Sequence, residues 1–315
     1  MENLDANKSV YHIPALLPEA INLLVTNPEG IYIDATFGGG GHSREILRRL
    51  GDNGRLFSFD RDLDAYENRI DDSRFTFVHS NFRFIENFMR FHHVEGVDGI
   101  LADLGVSFHH FDTPERGFSF RADAPLDMRM NRNSDRTAAD VIANADEKEI
   151  NRILKTFTDL RKPGNVASAI IRARENQPIE TTGQLAEAVE KSLDPRQMKK
   201  EMAQVFQAFR IETNREMDDL ARFLKSTLRV IKPNGRLAVL TYHSLEDKMV
   251  KNFMKTGNIE GQAESDFFGN KISPWELITR KPIEPSEEEI ERNPRSRSAK
   301  LRVAQLTEKL TTENR

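Results

Sequence analysis

Hydrophobic positions along the 315-residue chain first alternate between short apolar runs and stretches with helical spacing. The short runs predict β-strands at 31–34, 55–59, 75–79 and 99–102. Strands separated by helical stretches are typical of βαβ units, which form a parallel sheet. Residues 1–129 are therefore predicted to be the first part of a doubly wound α/β domain.

From about Met130 to Ile211 the spacing of apolar positions is helical throughout. Asp146 and Glu149 match a capping box, and Pro195 suits a first helical turn. The helices are predicted at 137–145, 146–157, 164–176, 182–193 and 195–209. Residues 129–211 contain 15 Lys and Arg against 12 Asp and Glu. We interpret 130–211 as an inserted helical domain that takes part in substrate recognition.

The alternation of strands and helices resumes in residues 212–315. A long amphipathic helix at 214–231 precedes an apolar strand at 236–242 and a helix at 245–255. Two weaker strands are predicted at 277–282 and 301–306. With these strands the α/β domain has a seven-stranded, mostly parallel, doubly wound sheet.

A run of four glycines, 38–41, separates the first strand from the helix that follows it. Glycine has no Cβ and tolerates positive φ, so such a loop can bring backbone N–H groups close to a ligand. Gly38 and Gly40 fit the first two positions of G-x-G-x-x-G, but Ser43 stands at the third. The run favours a nucleotide or nucleoside ligand, and a structural turn without a ligand is the alternative.

Two carboxylates follow other strands of the predicted sheet. Asp60 ends the second strand about 20 residues beyond the glycine loop, where doubly wound folds place an acid on ribose hydroxyls. Asp103 ends the fourth strand, and its position predicts that it faces the reacting centre. A dinucleotide or S-adenosylmethionine would satisfy the loop and Asp60. The alternative for each acid is that it caps the next helix or turn.

Composition limits the class of protein. No cysteine is present, so disulfides and thiolate metal sites are excluded. The N-terminal residues are polar, and no apolar run approaches the roughly 20 residues of a membrane span. A soluble cytoplasmic protein is expected. The net charge of −4 argues against indiscriminate binding to nucleic acid, so any such contact must be local.

Several longer strings resemble bacterial 16S ribosomal RNA cytosine-N4 methyltransferases, the small-subunit methyltransferase H family. The resemblance spans nearly the whole chain. The matching strings lie at 34–43, 98–107, 115–120, 125–130, 206–211, 243–247 and 293–302.

The resemblance implies a class I, Rossmann-like methyltransferase fold with S-adenosylmethionine as cofactor. The acceptor would be a cytosine in the decoding centre of 16S ribosomal RNA within the small ribosomal subunit. Carried over by position, the cofactor contacts would be Gly40, Gly41, His42, Asp60, Phe82 and Asp103. The family has a glutamine where this chain has His110, so that contact would involve an imidazole in place of an amide.

The substrate must be held with its amine in line with the donated methyl. We hypothesise that Asp103 accepts a hydrogen bond from the amine, and the alternative is that it only orients the cofactor. Phe118, Phe120, Tyr242 and His243 are candidates for stacking on a base drawn out of its stack, with core packing as the alternative. Arg129 represents several arginines that could bind phosphate or remain solvated. These arginines are Arg116, Arg121, Arg129, Arg132, Arg292, Arg295 and Arg297.

Other functions stay open at this point. The adjacent histidine pairs lack the spacing of a zinc site, so no metal is expected. A nicotinamide-dependent dehydrogenase would also use the glycine loop and Asp60. A non-catalytic factor that only recognises ribosomal RNA is the rival outside the enzymes. The sequence leaves open whether the chain forms a homodimer.

Overall fold

The computed structural model describes residues 14–105, 113–269 and 271–307. The strands are β1 Ile31–Asp34, β2 Arg55–Asp60, β3 Phe75–His79, β4 Val97–Asp103, β5 Ile231–Thr241, β6 Glu264–Ser265, β7 Lys271–Ile272, β8 Trp275–Leu277 and β9 Lys300–Leu306. The helices are α1 Leu17–Leu24, α2 Gly41–Arg49, α3 Ile85–Phe91, α4 Ala138–Asn144, α5 Glu147–Phe157, α6 Pro163–Asn176, α7 Thr182–Glu190, α8 Met198–Asn214, α9 Glu216–Val230, α10 Ser244–Thr256 and α11 Glu287–Arg292.

Seven strands form the main sheet in the order β3-β2-β1-β4-β5-β9-β8. The first five of these pair in parallel, whereas β9 runs antiparallel to both β5 and β8. This arrangement confirms the predicted α/β class with a seven-stranded, mostly parallel sheet. Strands β1, β2 and β4 are neighbours whose carboxyl ends lie at one edge, where ligands bind in open parallel sheets.

The chain folds into two compact units. The sheet unit is Met1–Gly105 with Asp219–Arg315, and the helical unit is Val106–Asp218. The helical unit is therefore wider than the interval 130–211 that the helical pattern predicts. A substrate-recognition role for 130–211 stays a prediction.

Each unit has its own apolar core. In the sheet unit, side chains of α1 and α2 pack with β1, β2, β4, β5 and β9, and Leu16, Ile21 and Tyr32 are fully buried. In the helical unit, α4 to α8 enclose a core that includes Ile150 and Phe209. Thr137 and Asp146 cap α4 and α5 through their side chains. At Asp146 one half of the predicted capping box is present, because Asp146 accepts the Glu149 N–H while the Glu149 carboxylate binds Arg152.

Several predicted element boundaries are wrong, and the strand predicted at 236–242 begins at Ile231. The strand expected at 277–282 lies at Trp275–Leu277, because Ile278 and Thr279 both donate to the Val303 carbonyl and so interrupt the ladder. Helix α8 begins at Met198, not at Pro195. Pro195 lies in a turn that the Gln197 N–H closes on the Asp194 carbonyl.

Within the described ranges, every helix is too short or too polar to cross a membrane.

Candidate active site

The glycine loop joins β1 to α2 with two residues in the left-handed region. Gly38 has φ +50° and Gly40, the residue before α2, has φ +74°. Apart from Gly38 and its two chain neighbours, no described residue has an atom within 4 Å of the place a Cβ would take at Gly38, so this side of the loop is open to a ligand. A Cβ at Gly41 would lie 2.3 Å from Cγ of Pro14, so Gly41 is also required for packing.

Ser43, which replaces the third glycine of the dinucleotide pattern, ties α2 to β1. Its hydroxyl donates to Asp34 Oδ2 at 2.6 Å and lies 2.8 Å from the Ser58 hydroxyl. Asp34 is 1% exposed, and burial raises its pKa to about 6 although the Ser43 bond lowers it. At the position of the third glycine, this chain therefore has a serine that forms a structural hydrogen bond beneath the loop.

Asp60 lies at the carboxyl end of β2 and holds the glycine loop. Its Oδ2 accepts the Gly38 N–H at 2.8 Å, and its Oδ1 accepts the Asp62 N–H at 2.8 Å. A carboxylate at the end of this strand is the group that doubly wound folds place on ribose hydroxyls. Asp60 thus lies next to the glycine loop and is joined to it by a direct hydrogen bond.

Asp103 ends β4 at the same edge of the sheet. Its N–H donates to Thr36 Oγ1 at 2.7 Å, and its Oδ1 accepts the Tyr242 hydroxyl at 2.7 Å. Burial raises the pKa of Asp103 to about 7, with smaller increases from the negative charges of Asp34 and Glu246; the Tyr242 bond lowers it. This carboxyl group can therefore take up or release a proton near neutral pH.

Tyr242 is a protonated donor whose backbone is also held. Burial and the negative charge of Asp103 raise the pKa of its phenol well above the usual value, so the hydroxyl keeps its proton. Its backbone N–H donates to Glu246 Oε2 at 2.9 Å. A Cβ at Gly105 would lie 3.1 Å from the Tyr242 ring, so this glycine gives the ring room.

His42 lies in the first turn of α2, with Nδ1 3.7 Å from Asp103 Oδ2. Burial lowers the pKa of His42 to about 4, so the imidazole is neutral at pH 7 and the contact is not an ion pair. Its Nε2 is buried and has no hydrogen-bond partner among the described residues. A buried polar atom without a partner is costly, so this nitrogen is a suitable contact for a ligand.

The other predicted cofactor contacts are placed differently. Phe82 begins a short 3₁₀ helix after β3, and its ring packs edge-on against Phe223, with centroids 5.1 Å apart. His110 lies outside the described residues.

The proposed substrate residues differ in how available they are. His243 caps α10, and its Nδ1 accepts the Glu246 N–H at 3.4 Å, which favours a capping role over stacking. Phe118 is 5% exposed in the helical core, and Phe120 packs against that core, which favours core packing for both. Arg129 donates to Asp127 at 2.7 and 2.8 Å and to the carbonyls of 132 and 134, which favours a structural role.

Sequence reasoning missed three features of this edge. The roles of Ser43 and Thr36 as hydrogen-bond partners of Asp34 and Asp103 carry no sequence signal beyond their place in the loop. The position of Tyr242 directly after β5 is such a signal, because β5 pairs in parallel with β4 and ends beside it. That position predicts the proximity of Tyr242 to Asp103, in addition to the stacking role considered for Tyr242.

Comparison with known proteins assigns the family. A model described as the MraW methylase family matches residues 9–307. The chain belongs to this family.

The relatives are similar to this chain over nearly their whole length. "Ribosomal RNA small subunit methyltransferase H" of Bacteroides thetaiotaomicron is 53% identical over 302 residues, which are 96% of this chain and 99% of the relative. The protein of the same name from Phocaeicola vulgatus is 55% identical, covering 95% and 98%. That from Flavobacterium johnsoniae is 51% identical, covering 94% and 97%.

The residues of the MraW methylase fit a nucleoside cofactor with a charged end. The open side of Gly38, the carboxylate of Asp60 and the unpartnered Nε2 of His42 all belong to the sheet unit of the described chain. Asp103 adds a carboxyl group that can be ionised, with its Oδ2 3.7 Å from His42 Nδ1.

Proposed function

We propose that the chain uses S-adenosylmethionine to methylate the exocyclic N4 of a cytosine in the decoding centre of 16S ribosomal RNA, acting on the small ribosomal subunit. The observation that carries the proposal is the meeting of the glycine loop, Asp60 and Asp103 at one sheet edge in a MraW methylase. The names of the relatives support small-subunit ribosomal RNA as the substrate. We expect the enzyme in the cytoplasm, with the ribosomal subunits.

The cofactor would be held by residues of the sheet unit. S-adenosylmethionine supplies an electrophilic methyl group on a positively charged sulfur. Asp60 can accept from ribose hydroxyls, and the backbone of 38–41 allows close approach. His42 offers its buried Nε2, and Phe82 follows β3 with its ring packed against Phe223.

Asp103 is the residue we assign to the reaction itself. The N4 amine of cytosine is a poor nucleophile, because its lone pair is delocalised into the ring. A carboxylate that accepts a hydrogen bond from the amine favours the pyramidal geometry in which the lone pair is available. Asp103 then takes the proton that the amine loses on methylation, for which a pKa near 7 is well matched.

Tyr242 positions this carboxylate. Its hydroxyl donates a hydrogen bond to Oδ1 of Asp103 at 2.7 Å, so Oδ2 is the oxygen that can accept from the amine. The same bond lowers the pKa of Asp103 and so favours the ionised form that the reaction needs. The proposal holds for a monomer and for a homodimer alike, because every residue it uses lies in one chain.

The test is methyl transfer to small subunits that lack the modification. Incubation with S-adenosylmethionine carrying a labelled methyl group should place label in 16S ribosomal RNA. Calorimetry should detect binding of S-adenosylmethionine and none of a nicotinamide dinucleotide. Binding of the cofactor without transfer of label would contradict the proposal and favour a non-catalytic factor.

A further inference from the structure

The helical unit contains a cleft away from the glycine loop in sequence. It has a volume of about 790 Å³ and lies between the start of α6 and the connection from α7 to α8. The charged residues of its lining are Arg161, Lys162, Arg172, Lys191, Asp194 and Glu201. This lining comes from α6, α8 and the two connections that precede these helices, all within the helical unit.

Four of the lining residues are cations: Arg161, Lys162, Arg172 and Lys191. All four side chains are exposed. None forms an ion pair or a side-chain hydrogen bond with another described residue. In the same unit Arg152 is bound to Glu149 and Glu212, so acidic partners do satisfy cations elsewhere. The cleft therefore presents positive charge that the protein does not neutralise.

The two acids of the cleft are engaged in its wall. Glu201 is 7% exposed and accepts the Asp194 N–H at 2.7 Å through Oε2. Asp194 accepts the Arg196 N–H at 2.9 Å. These bonds fix the connection between α7 and α8. The acids thus shape the cleft, and the cations supply its exposed charge.

The start of α6 adds to this positive character. Lys162 precedes the helix and gives no side-chain cap, so the first N–H groups are not covered by its side chain. A helix N-terminus carries partial positive charge, which favours an anion in the neighbouring space. The start of α6 thus adds partial positive charge to the charge of the four cations.

We propose that this cleft binds the sugar–phosphate backbone of the RNA substrate; the proposal rests on the proposed function. A protein with a net charge of −4 needs a local cluster of cations to hold a polyanion. The lining offers cations and polar groups and no exposed aromatic anchor of the kind that protein interfaces use. Contacts to phosphate orient RNA without reading its sequence, so the cleft positions the substrate.

The test removes three charges and leaves Lys162, whose backbone begins α6. The cleft variant is Arg161→Gln, Arg172→Gln and Lys191→Gln, and the control is Arg136→Gln, Lys148→Gln and Lys155→Gln in the same unit. Methylation of unmodified small subunits is measured over a range of salt concentrations. Each lost phosphate contact lowers the slope of log K against log salt by about 0.7 to 0.9.

We expect KM for the subunit to rise about ten-fold or more in the cleft variant, with a shallower salt dependence. The turnover number at saturation and the affinity for S-adenosylmethionine should match the wild type. The control variant should leave KM and its salt dependence near the wild-type values. Equal effects in the two variants, or an unchanged KM in the cleft variant, would overturn the proposal.

Ultraviolet cross-linking identifies the occupant. Adducts of cleft peptides with ribosomal RNA would support the proposal, whereas adducts with a ribosomal protein would overturn it. Failure of the proposed function gives a different result, since the wild type would then transfer no methyl group at all.

Discussion

The sheet unit and the helical unit hold their charged groups in opposite ways. At the sheet edge, Asp34, Asp60 and Asp103 are each fixed by short hydrogen bonds from neighbouring groups. In the cleft of the helical unit, Arg161 and Lys191 are exposed and have no partner among the described residues. Fixed groups suit a compact ligand whose atoms must be aligned for reaction. Exposed cations suit a long polyanion that is held at many points.

The two units should therefore control different quantities, the rate of methyl transfer and the affinity for the RNA substrate. Changes at the sheet edge should act on the rate of methyl transfer or on stability, whereas changes in the cleft should act on substrate affinity and its salt dependence. A sheet-edge variant that changed only substrate affinity and its salt dependence would contradict this difference between the units.

The largest effect is expected from Asp103→Asn, which keeps the shape of the side chain and removes its ability to take a proton. The single-turnover rate should fall about 100-fold or more, the usual contribution of a general base. Asp98→Asn is the matched control, because Asp98 lies near the start of the same strand and binds Lys232. An unchanged rate in Asp103→Asn would contradict the catalytic role and show that Asp103 only orients the cofactor.

Ser43→Ala should reduce stability by about 1 to 3 kcal/mol, because it leaves buried Asp34 without its 2.6 Å bond. The loss should grow from pH 5 to pH 8. The Ser43 bond lowers the pKa of Asp34, so the variant raises it above about 6 and disfavours the ionised form that prevails at higher pH. Urea unfolding at several pH values measures this.

Ser226→Ala is the control for that measurement. Ser226 is also buried, but its hydroxyl donates to the Phe223 carbonyl within a helix. Its unfolding free energy should change little and equally at all pH values. A loss in Ser43→Ala that does not vary with pH would contradict the role assigned to the Asp34 bond.

Tyr242→Phe should have the smallest effect, about three- to five-fold in rate at pH 7. Without the hydroxyl the pKa of Asp103 rises further above its ordinary value, so less of it is ionised at pH 7. The acidic limb of the rate profile should move to higher pH, and the rate should recover at alkaline pH.

Tyr32→Phe provides the comparison, because Tyr32 is fully buried and its hydroxyl bonds to the backbone of Asn27, away from the carboxyl edge. Its pH profile should match the wild type. A profile of Tyr242→Phe that does not move would remove the positioning role. A pH-dependent affinity for S-adenosylmethionine with a flat turnover number would instead assign Asp103 to the cofactor.

Much of the sheet could be predicted because its signals are local. Apolar runs that end in Asp60 and Asp103 mark the ends of buried strands, and parallel pairing then brings those ends to one edge. The glycine run likewise reports its own backbone conformation. These features depend on residues close together in the chain.

The detailed site could not be predicted because its bonds join distant residues. Tyr242 and Asp103 are 139 residues apart, and their bond depends on the pairing of β5 with β4. Ser43 counts as a departure from a pattern until Asp34 is seen to accept from it. Phe118 shows the reverse case, since an aromatic in a matching string lies buried in a core. The cationic cleft also depends on tertiary packing, because α6 and the segment before it meet the connection from α7 to α8.

Nucleoside analysis tests whether the enzyme methylates N4 of a cytosine in small-subunit RNA. Unmodified small subunits are incubated with the enzyme and S-adenosylmethionine carrying an isotopically labelled methyl group, and the 16S ribosomal RNA is digested to nucleosides for mass spectrometry. We expect labelled N4-methylcytidine from one site in the decoding centre, formed about 100-fold or more slowly with Asp103→Asn. Label on another base, on another atom of cytosine or on a ribosomal protein would contradict it.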